Sequence, residues 1–195
     1  MIDLYYLDEA GFAPTWPTSY TWAPAGVRPL VRYEAPQRRR VNALGALAPF
    51  GPRPGFVFES RLASEGKLDS AAFLDFVCRA LAGLPEGRTA QAALPRTHRR
   101  ARPCVVVLDN YQVHKSALVK AAAHPLAAAG VLFYYLPPYS PELNRIEPEW
   151  RAAKYEGSPV RSHTTGQALK QAVDAVLTQR AARFHPSTPH LREAA

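Results

Sequence analysis

The run CVVVLD, Cys104–Asp109, is the tightest constraint in this chain. Five apolar residues in succession leave no polar edge to turn towards water. Such a run fits a strand inside a parallel sheet, covered on both faces. The next two segments are consistent with that. KSALVKAAAHPLAAAG reads as an Ala-rich helix closed by Gly130, with Pro125 expected to bend or interrupt it. VLFYYLPP then reads as a second strand. A strand, a helix and a strand in that order form a β-α-β unit.

The rest of the chain builds around this unit. IDLYYLDEAGF predicts a buried strand over residues 2–8, ending in a Gly turn. Residues 13–40 are rich in Pro and aromatics and are not expected to be helical. VNALGALAPFGPRPGFVFESRLA has the form of a hairpin around a Gly/Pro turn. DSAAFLDFVCRALAGL carries apolar residues at 73, 74, 77, 81 and 84, which is helical spacing, with Asp69 or Ser70 as N-cap. The Pro- and Arg-rich segment 85–103 reads as a mobile loop. SPELNRIEPEWRAAK predicts one helix with Ser140 as N-cap and Pro141 at its first position. TTGQALKQAVDAVLTQRAARF predicts the last helix. One domain is expected over 1–185, with a disordered tail over 186–195. No internal repeat is present. The order strand, hairpin, helix, strand, helix, strand, helix, helix implies an α/β fold: a mixed five-stranded sheet flanked by helices.

Composition narrows the class of partner. The 195 residues carry a formal net charge of +8, with a pI near 9.8. That balance fits a polyanionic partner such as nucleic acid, and equally a merely basic soluble enzyme. Cys78 and Cys104 form neither a disulfide framework nor a metal-ligand cluster, so a reduced, cytoplasmic setting is expected. No signal peptide or long apolar span is present, and no membrane insertion is expected.

Three acids stand where chemistry gathers. Asp8 and Asp109 each close an apolar run, at the carboxyl ends of strands where functional groups of open α/β sheets collect. If the two strands are parallel neighbours, the carboxylates lie close together and repel unless a divalent cation relieves them. Either one alone also reads as a turn former or a helix cap. On a wheel drawn for one helix after Ser140, Leu143, Ile146 and Trp150 make an apolar stripe. Glu147 falls inside that stripe, roughly 40° from Leu143, while Glu142 and Glu149 lie roughly 140–160° from Glu147. A carboxylate on a buried face needs a cation or a proton. The choices are an ion pair with Arg151 or Lys154 on the same helix, or a metal site completed by Asp8 and Asp109. Oxygen ligands without Cys/His spacing point to Mg²⁺ or Mn²⁺. Three carboxylates suffice for two ions, about 4 Å apart, of the kind that serve phosphodiester chemistry.

The blocks YYLDEAGF, YTWAPAGVRP, NALGAL, VVLDNYQVHKS and LPPYSPELNRIEPEW, in that order, resemble the catalytic domain of a mariner-superfamily DDE transposase. The nearest branch is the bacterial insertion-sequence family numbered 630. The resemblance spans roughly residues 2–155 and is specific in its combination of blocks rather than in any one of them. It implies an RNase H-like fold, with Asp8, Asp109 and Glu147 as the three catalytic, metal-binding acids. It further implies two divalent ions, Mg²⁺ or Mn²⁺, and double-stranded DNA as substrate: transposon ends and target. An active dimer in the bacterial cytoplasm, associated with the nucleoid, is expected. Thirty-seven residues lie between Asp109 and Glu147, slightly more than is usual in the family, and Arg145 stands where the family commonly has Pro. No helix-turn-helix module precedes Asp8, so the chain is expected to be the catalytic half of a split reading frame, served by an N-terminal DNA-binding polypeptide from an adjacent frame, or a truncated relic. Two rival functions remain: a degenerate fragment that only binds DNA or a partner, and a stand-alone RNase H-like nuclease.

Weaker candidates surround the acids. Asn110 and His114 could touch a metal-bound water or a phosphate, or be a turn residue and a helix-start histidine. Trp16 and Trp22 could stack on splayed bases or pack in the core. Arg38, Arg39 and Arg40, and the cluster Arg96, Arg99, Arg100 and Arg102, could track a phosphate backbone or form a solvated basic surface.

Overall fold

The computed structural model describes residues 1–15, 23–28, 30, 33–35, 39–51, 53–84, 98–156 and 162–184. Strands β1 (Asp3–Phe12), β2 (Val41–Ala48), β3 (Gly55–Leu62), β4 (Cys104–Leu108) and β5 (Val131–Tyr135) form one sheet in the order β3-β2-β1-β4-β5. β1 is central and has two kinds of neighbour. Its first half pairs in parallel with β4, from Asp3↔Cys104 to Tyr6↔Val107. Its second half pairs antiparallel with β2, from Tyr6↔Leu47 to Phe12↔Val41. β2 and β3 form the expected antiparallel hairpin, and β4 and β5 run parallel. The mixed five-stranded sheet implied by the order of segments is therefore present.

β1 is longer than its local pattern predicts. It continues past Asp8 to Phe12, and Gly11 is paired with Asn42 rather than sitting in a turn. β2 supplies the reason: its eight residues offer hydrogen-bonding partners for the second half of β1. Asp8 thus lies within its strand, not at its end. It nevertheless stands just past the end of the parallel ladder. Continuing the Tyr6↔Val107 register by two residues sets Asp8 beside Asp109.

Side chains alternate between the two faces of a strand. Leu7, Leu44, Val106, Leu108 and Val131 face one core with helices α1 (Ser70–Phe76) and α2 (Ala117–Ala128). Ala10, Phe12, Val41, Ala43 and Phe56 face a second core with α3 (Glu147–Tyr155) and α4 (Gly166–Ala182). By the same alternation Asp8 belongs to the α3 face and Glu9 to the α1/α2 face. The α3 face leaves the β5 end of the sheet open, where Leu132 and Tyr134 are exposed.

The helices begin and end for identifiable reasons. Asp69 caps α1, accepting from the Ala71 and Ala72 N–H groups at 3.1 and 3.0 Å, and a π-type turn, Val77–Leu81, continues it. A 3₁₀ turn, Gln112–Lys115, precedes α2, whose N-cap Ser116 accepts from the Val119 N–H. Pro125 does not interrupt α2. The carbonyl it leaves unpaired is that of Ala121, and both residues are exposed, so water can serve it.

The single helix expected from Ser140 is instead broken. Pro141–Leu143 form one 3₁₀ turn, Asn144 is extended at φ −89° and ψ 101°, and α3 starts at Glu147. Pro148 explains the break: inside a continuous helix it would remove a hydrogen bond and clash with the carbonyl four residues back, whereas in the first turn of α3 it costs neither. The buried stripe of α3 is Ile146, Trp150 and Ala153; Leu143 and Glu147 are exposed. Among the described residues no helix is long and apolar enough to cross a membrane.

Candidate active site

The middle of β1, the ends of β4 and β5, and the start of α3 enclose a cleft of about 390 Å³. Asp8, Asp109, Asn110, Tyr111, Asn144 and Glu147 line it, and Leu136–Pro141 form one wall. The three acids singled out in the sequence come together here from three separate segments. Glu142 does not line the cleft, and Glu149 is bound to Arg180 of α4 at 2.7 Å. The reason Glu147 arrives differs from the one expected: it sits at the exposed start of a helix, not on a buried stripe. Neither same-helix cation holds it. Among the described residues Glu147 has no ion pair, and Lys154 lies over the Phe12 ring at 5.6 Å.

Gly45 brings α3 down onto the sheet. It pairs with Asp8 across β1 and β2, and a Cβ placed on it would come within 2.7 Å of the Trp150 indole. Only a residue without a side chain lets Trp150, three residues after Glu147, rest there. Trp150 is locked further by edge contacts with the Phe12 and Phe56 rings. Asn144 clamps the preceding turn: its Nδ2 donates to the Leu7 carbonyl at 3.4 Å, and its carbonyl accepts from the Glu147 N–H at 3.1 Å. Asn144 Oδ1 is buried with no hydrogen-bond partner among the described residues.

Two aspartates of one cleft carry opposite electrostatics. Burial, then the negative charges of Glu147 and Glu9, push the Asp8 carboxyl up to about 8. Asp109 is held below the usual carboxylate range, chiefly by the hydrogen bond from His114 Nδ1 at 2.9 Å and also by the Tyr111 N–H at 2.9 Å. His114 is fully buried and does not line the cleft. Its Nε2 lies 3.1 Å from Glu9 Oε1. Burial would push the imidazole down, but the hydrogen bonds to Asp109 and Glu9 outweigh it and raise it to about 9.

The remaining candidates divide. Asn110 lines the cleft, yet its amide donates to the Leu136 carbonyl and ties the ends of β4 and β5 together. Arg39 pairs with Glu34 at 3.1 Å and donates to the Thr164 carbonyl, so it holds chain segments together. Arg100 and Arg102 pair with Asp3 at 3.0 and 3.1 Å, at the start of β1 and therefore at the opposite end of the sheet from the cleft. Arg40 and Arg99 are exposed. Trp16, Trp22, Arg38, Arg96, most of the 85–103 loop and the 186–195 tail lie outside the described residues.

Sequence reading missed Glu9, Tyr111, Asn144 and Tyr139. Glu9 was legible in principle, since the residue after Asp8 must point to the opposite face. Tyr139 was not: it is wholly exposed at the cleft rim, with a left-handed backbone at φ 58° that bulky residues avoid.

Among the described residues, no three His, Cys, Asp or Glu side chains are drawn together closely enough to grip an ion. The chemistry of the donor set nevertheless suits a hard divalent cation. Three carboxylates share one cleft, and Asp8 is held protonated by burial and the charge of Glu147, a conflict that a cation would remove.

A mixed 3-2-1-4-5 sheet, with Asp8 inside its central strand and Asp109 just past the end of the neighbouring parallel strand, has the RNase H-like fold and is similar to the sheet of the Mos1 transposase. The chain belongs to the DDE superfamily endonucleases, whose sequence profile matches residues 3–170. Three solved structures share the fold: a Mos1 strand transfer complex (14% identity, TM-score 0.55), a Mos1 transposase paired-end complex with left transposon end (14%, 0.57), and a Mos1 mariner paired-end complex with Mn (13%, 0.56). Each alignment covers 94% of this chain but only 50–53% of the Mos1 chain, so the chain spans about half the length of these relatives. No curated protein sequence matches the chain.

Proposed function

We propose that this chain is the catalytic domain of a mariner-like DDE transposase of the insertion-sequence 630 branch. It cuts a DNA phosphodiester at the end of an element and directs the exposed 3′-hydroxyl onto target DNA. One observation carries the reading: Asp8, Asp109 and Glu147, far apart in the chain, line one cleft. In this reading Asp8, Asp109 and Glu147 would hold two divalent ions between them. Bound Mg²⁺ or Mn²⁺ supplies activation of the attacking oxygen and stabilises the leaving one. The protein's own part is to gather three carboxylates, to release the proton that Asp8 holds, and to keep Asp109 ionised through His114 and Tyr111. The presence of Mn and of a transposon end in the named Mos1 complexes supports the choice of ion and substrate. Partners are transposon-end and target DNA, a second copy in the active dimer, and an N-terminal DNA-binding polypeptide from an adjacent frame. The setting is the bacterial cytoplasm, at the nucleoid.

The test is cleavage and strand transfer of an end-labelled duplex carrying the element's terminal repeat, with Mg²⁺ or Mn²⁺. Asp8→Ala, Asp109→Ala and Glu147→Ala should each lower cleavage on the order of a thousandfold, as loss of several kcal/mol of transition-state stabilisation requires. Glu142→Ala should keep it. Cleavage without transfer would assign a stand-alone nuclease. No cleavage with either ion would leave a DNA-binding fragment and overturn the proposal.

A further inference from the structure

Asp8 and Glu9 are adjacent in sequence but belong to opposite faces of the sheet. Asp8 lines the cleft on the α3 side, whereas Glu9 meets His114 on the α1/α2 side. His114 in turn reaches Asp109 through its other ring nitrogen. A carboxylate oxygen stands on each side of the ring, at 2.9 and 3.1 Å. The ring packs on Phe73 at 4.7 Å between centroids, and the backbone around it is held as well: the His114 carbonyl accepts from the Tyr135 hydroxyl at 2.7 Å, and Ser70 ties the preceding residue, Val113, to α1 at 3.0 Å. His114 Nδ1 and the Tyr111 N–H converge on one oxygen of Asp109, Oδ1, at 2.9 Å each.

We propose that Glu9 and His114 are positioning residues: Glu9 anchors the His114 ring from behind the sheet, and His114 anchors Asp109 Oδ1, so that Oδ2 is the oxygen offered to the cleft. Neither residue lines the cleft. Both act through Asp109. A carboxylate held on one oxygen has its orientation set before any ligand arrives, and losing such an outer partner typically weakens metal binding about 10- to 100-fold. The arrangement also explains why a histidine with no exposed surface stands five residues after Asp109. The consequence for metal rests on the proposed nuclease function; the ring geometry does not.

Two measurements test it. In the metal-free wild type, labelled-histidine NMR should show a slowly exchanging Nδ1 proton on His114, held against Asp109, and Glu9→Ala should speed its exchange. Free Mn²⁺, monitored by electron paramagnetic resonance, should report about tenfold weaker binding in Glu9→Ala. Glu9→Gln, which keeps an acceptor oxygen, should recover most of it. A folded Glu9→Ala with wild-type Mn²⁺ affinity would overturn the proposal, as would a wild-type His114 whose Nδ1 proton exchanges freely. That second outcome decides the matter even if Glu9→Ala does not fold. If wild type binds no Mn²⁺, the nuclease reading falls and the ring-proton result alone decides the relay.

Discussion

Asp8 and Asp109 are the same residue type, on adjacent parallel strands, lining one cleft, and their carboxyls are pushed in opposite directions. The difference lies in what each is given. Asp109 receives two hydrogen bonds on Oδ1, one from a histidine that is itself braced by Glu9. Asp8 receives burial and the nearby charges of Glu147 and Glu9, relieved in part by the Glu9 backbone N–H. One acid is held as an anion by its hydrogen bonds; the other is pushed towards its neutral form. This division limits the unrelieved repulsion in the cleft to one site.

The harshest way to erase the contrast is His114→Ala. It removes the donor to Asp109 and strands Glu9 beside a cavity, so unfolding by denaturant should show a loss of about 3 kcal/mol. The Asp109 carboxyl should rise towards that of Asp8, which carboxyl-carbon NMR would detect. A stability change under about 0.5 kcal/mol, the range of an ordinary surface substitution, would mean that the buried chain of contacts is not what holds Asp109.

Gly45→Ala attacks the other acid. The added methyl collides with Trp150, lifting the start of α3 away from Asp8. Overpacking of this kind costs about 1–3 kcal/mol. Asp8 should move back towards its ordinary range as Glu147 withdraws, and cleavage should fall, while the His114 Nδ1 proton stays as in wild type. Unchanged cleavage would show that the cleft tolerates a displaced Glu147.

The mildest probe is pH in the absence of metal. The raised Asp8 favours the folded state when protonated, so its contribution is full below about 4 and fades as pH rises through about 8. The raised His114 contributes fully below about 6.5 and fades through about 9. The lowered Asp109 works the other way, and its contribution is lost as pH falls below the ordinary carboxylate range. The melting temperature should therefore peak at weakly acidic pH and decline towards 9. Mg²⁺ or Mn²⁺ at about ten times its dissociation constant should restore about 1.4 kcal/mol at pH 8. Asp8→Asn should flatten the decline and shrink the metal effect. A metal-free curve that rises from pH 5 to pH 8 would contradict the electrostatics of both Asp8 and His114.

Much of this was legible from local pattern. The apolar run before Asp109, the hairpin after Val41 and the spacing of α1 state their own geometry, because strand alternation and helical periodicity are short-range properties. The family blocks carried the three acids. Asp8 beside Asp109 emerged as soon as β1 and β4 were taken as parallel neighbours. What pattern missed, it missed for definite reasons. A helical wheel over 140–154 assumes one unbroken helix, and Pro148 forbids it; that signal was in the chain, but weighing it against the Ser140–Pro141 start required knowing that Asn144 could be clamped to Leu7. The extent of β1 depended on how much of β2 lay alongside it.

Elements and their order are therefore intrinsic to this sequence, since backbone preference and hydrophobic period act over a few residues. The destinations of its charged side chains are not. Arg100 and Arg102 bind Asp3 at the far end of the sheet, and Glu149 is taken by Arg180, 31 residues on. Glu9 meets a histidine 105 residues away. Those pairings arise only when register and packing bring distant segments within hydrogen-bonding reach, and short-range patterns carry no record of which distant partner will be there. The cleft has its acids from local sequence, and the opposite character of its two aspartates from the fold.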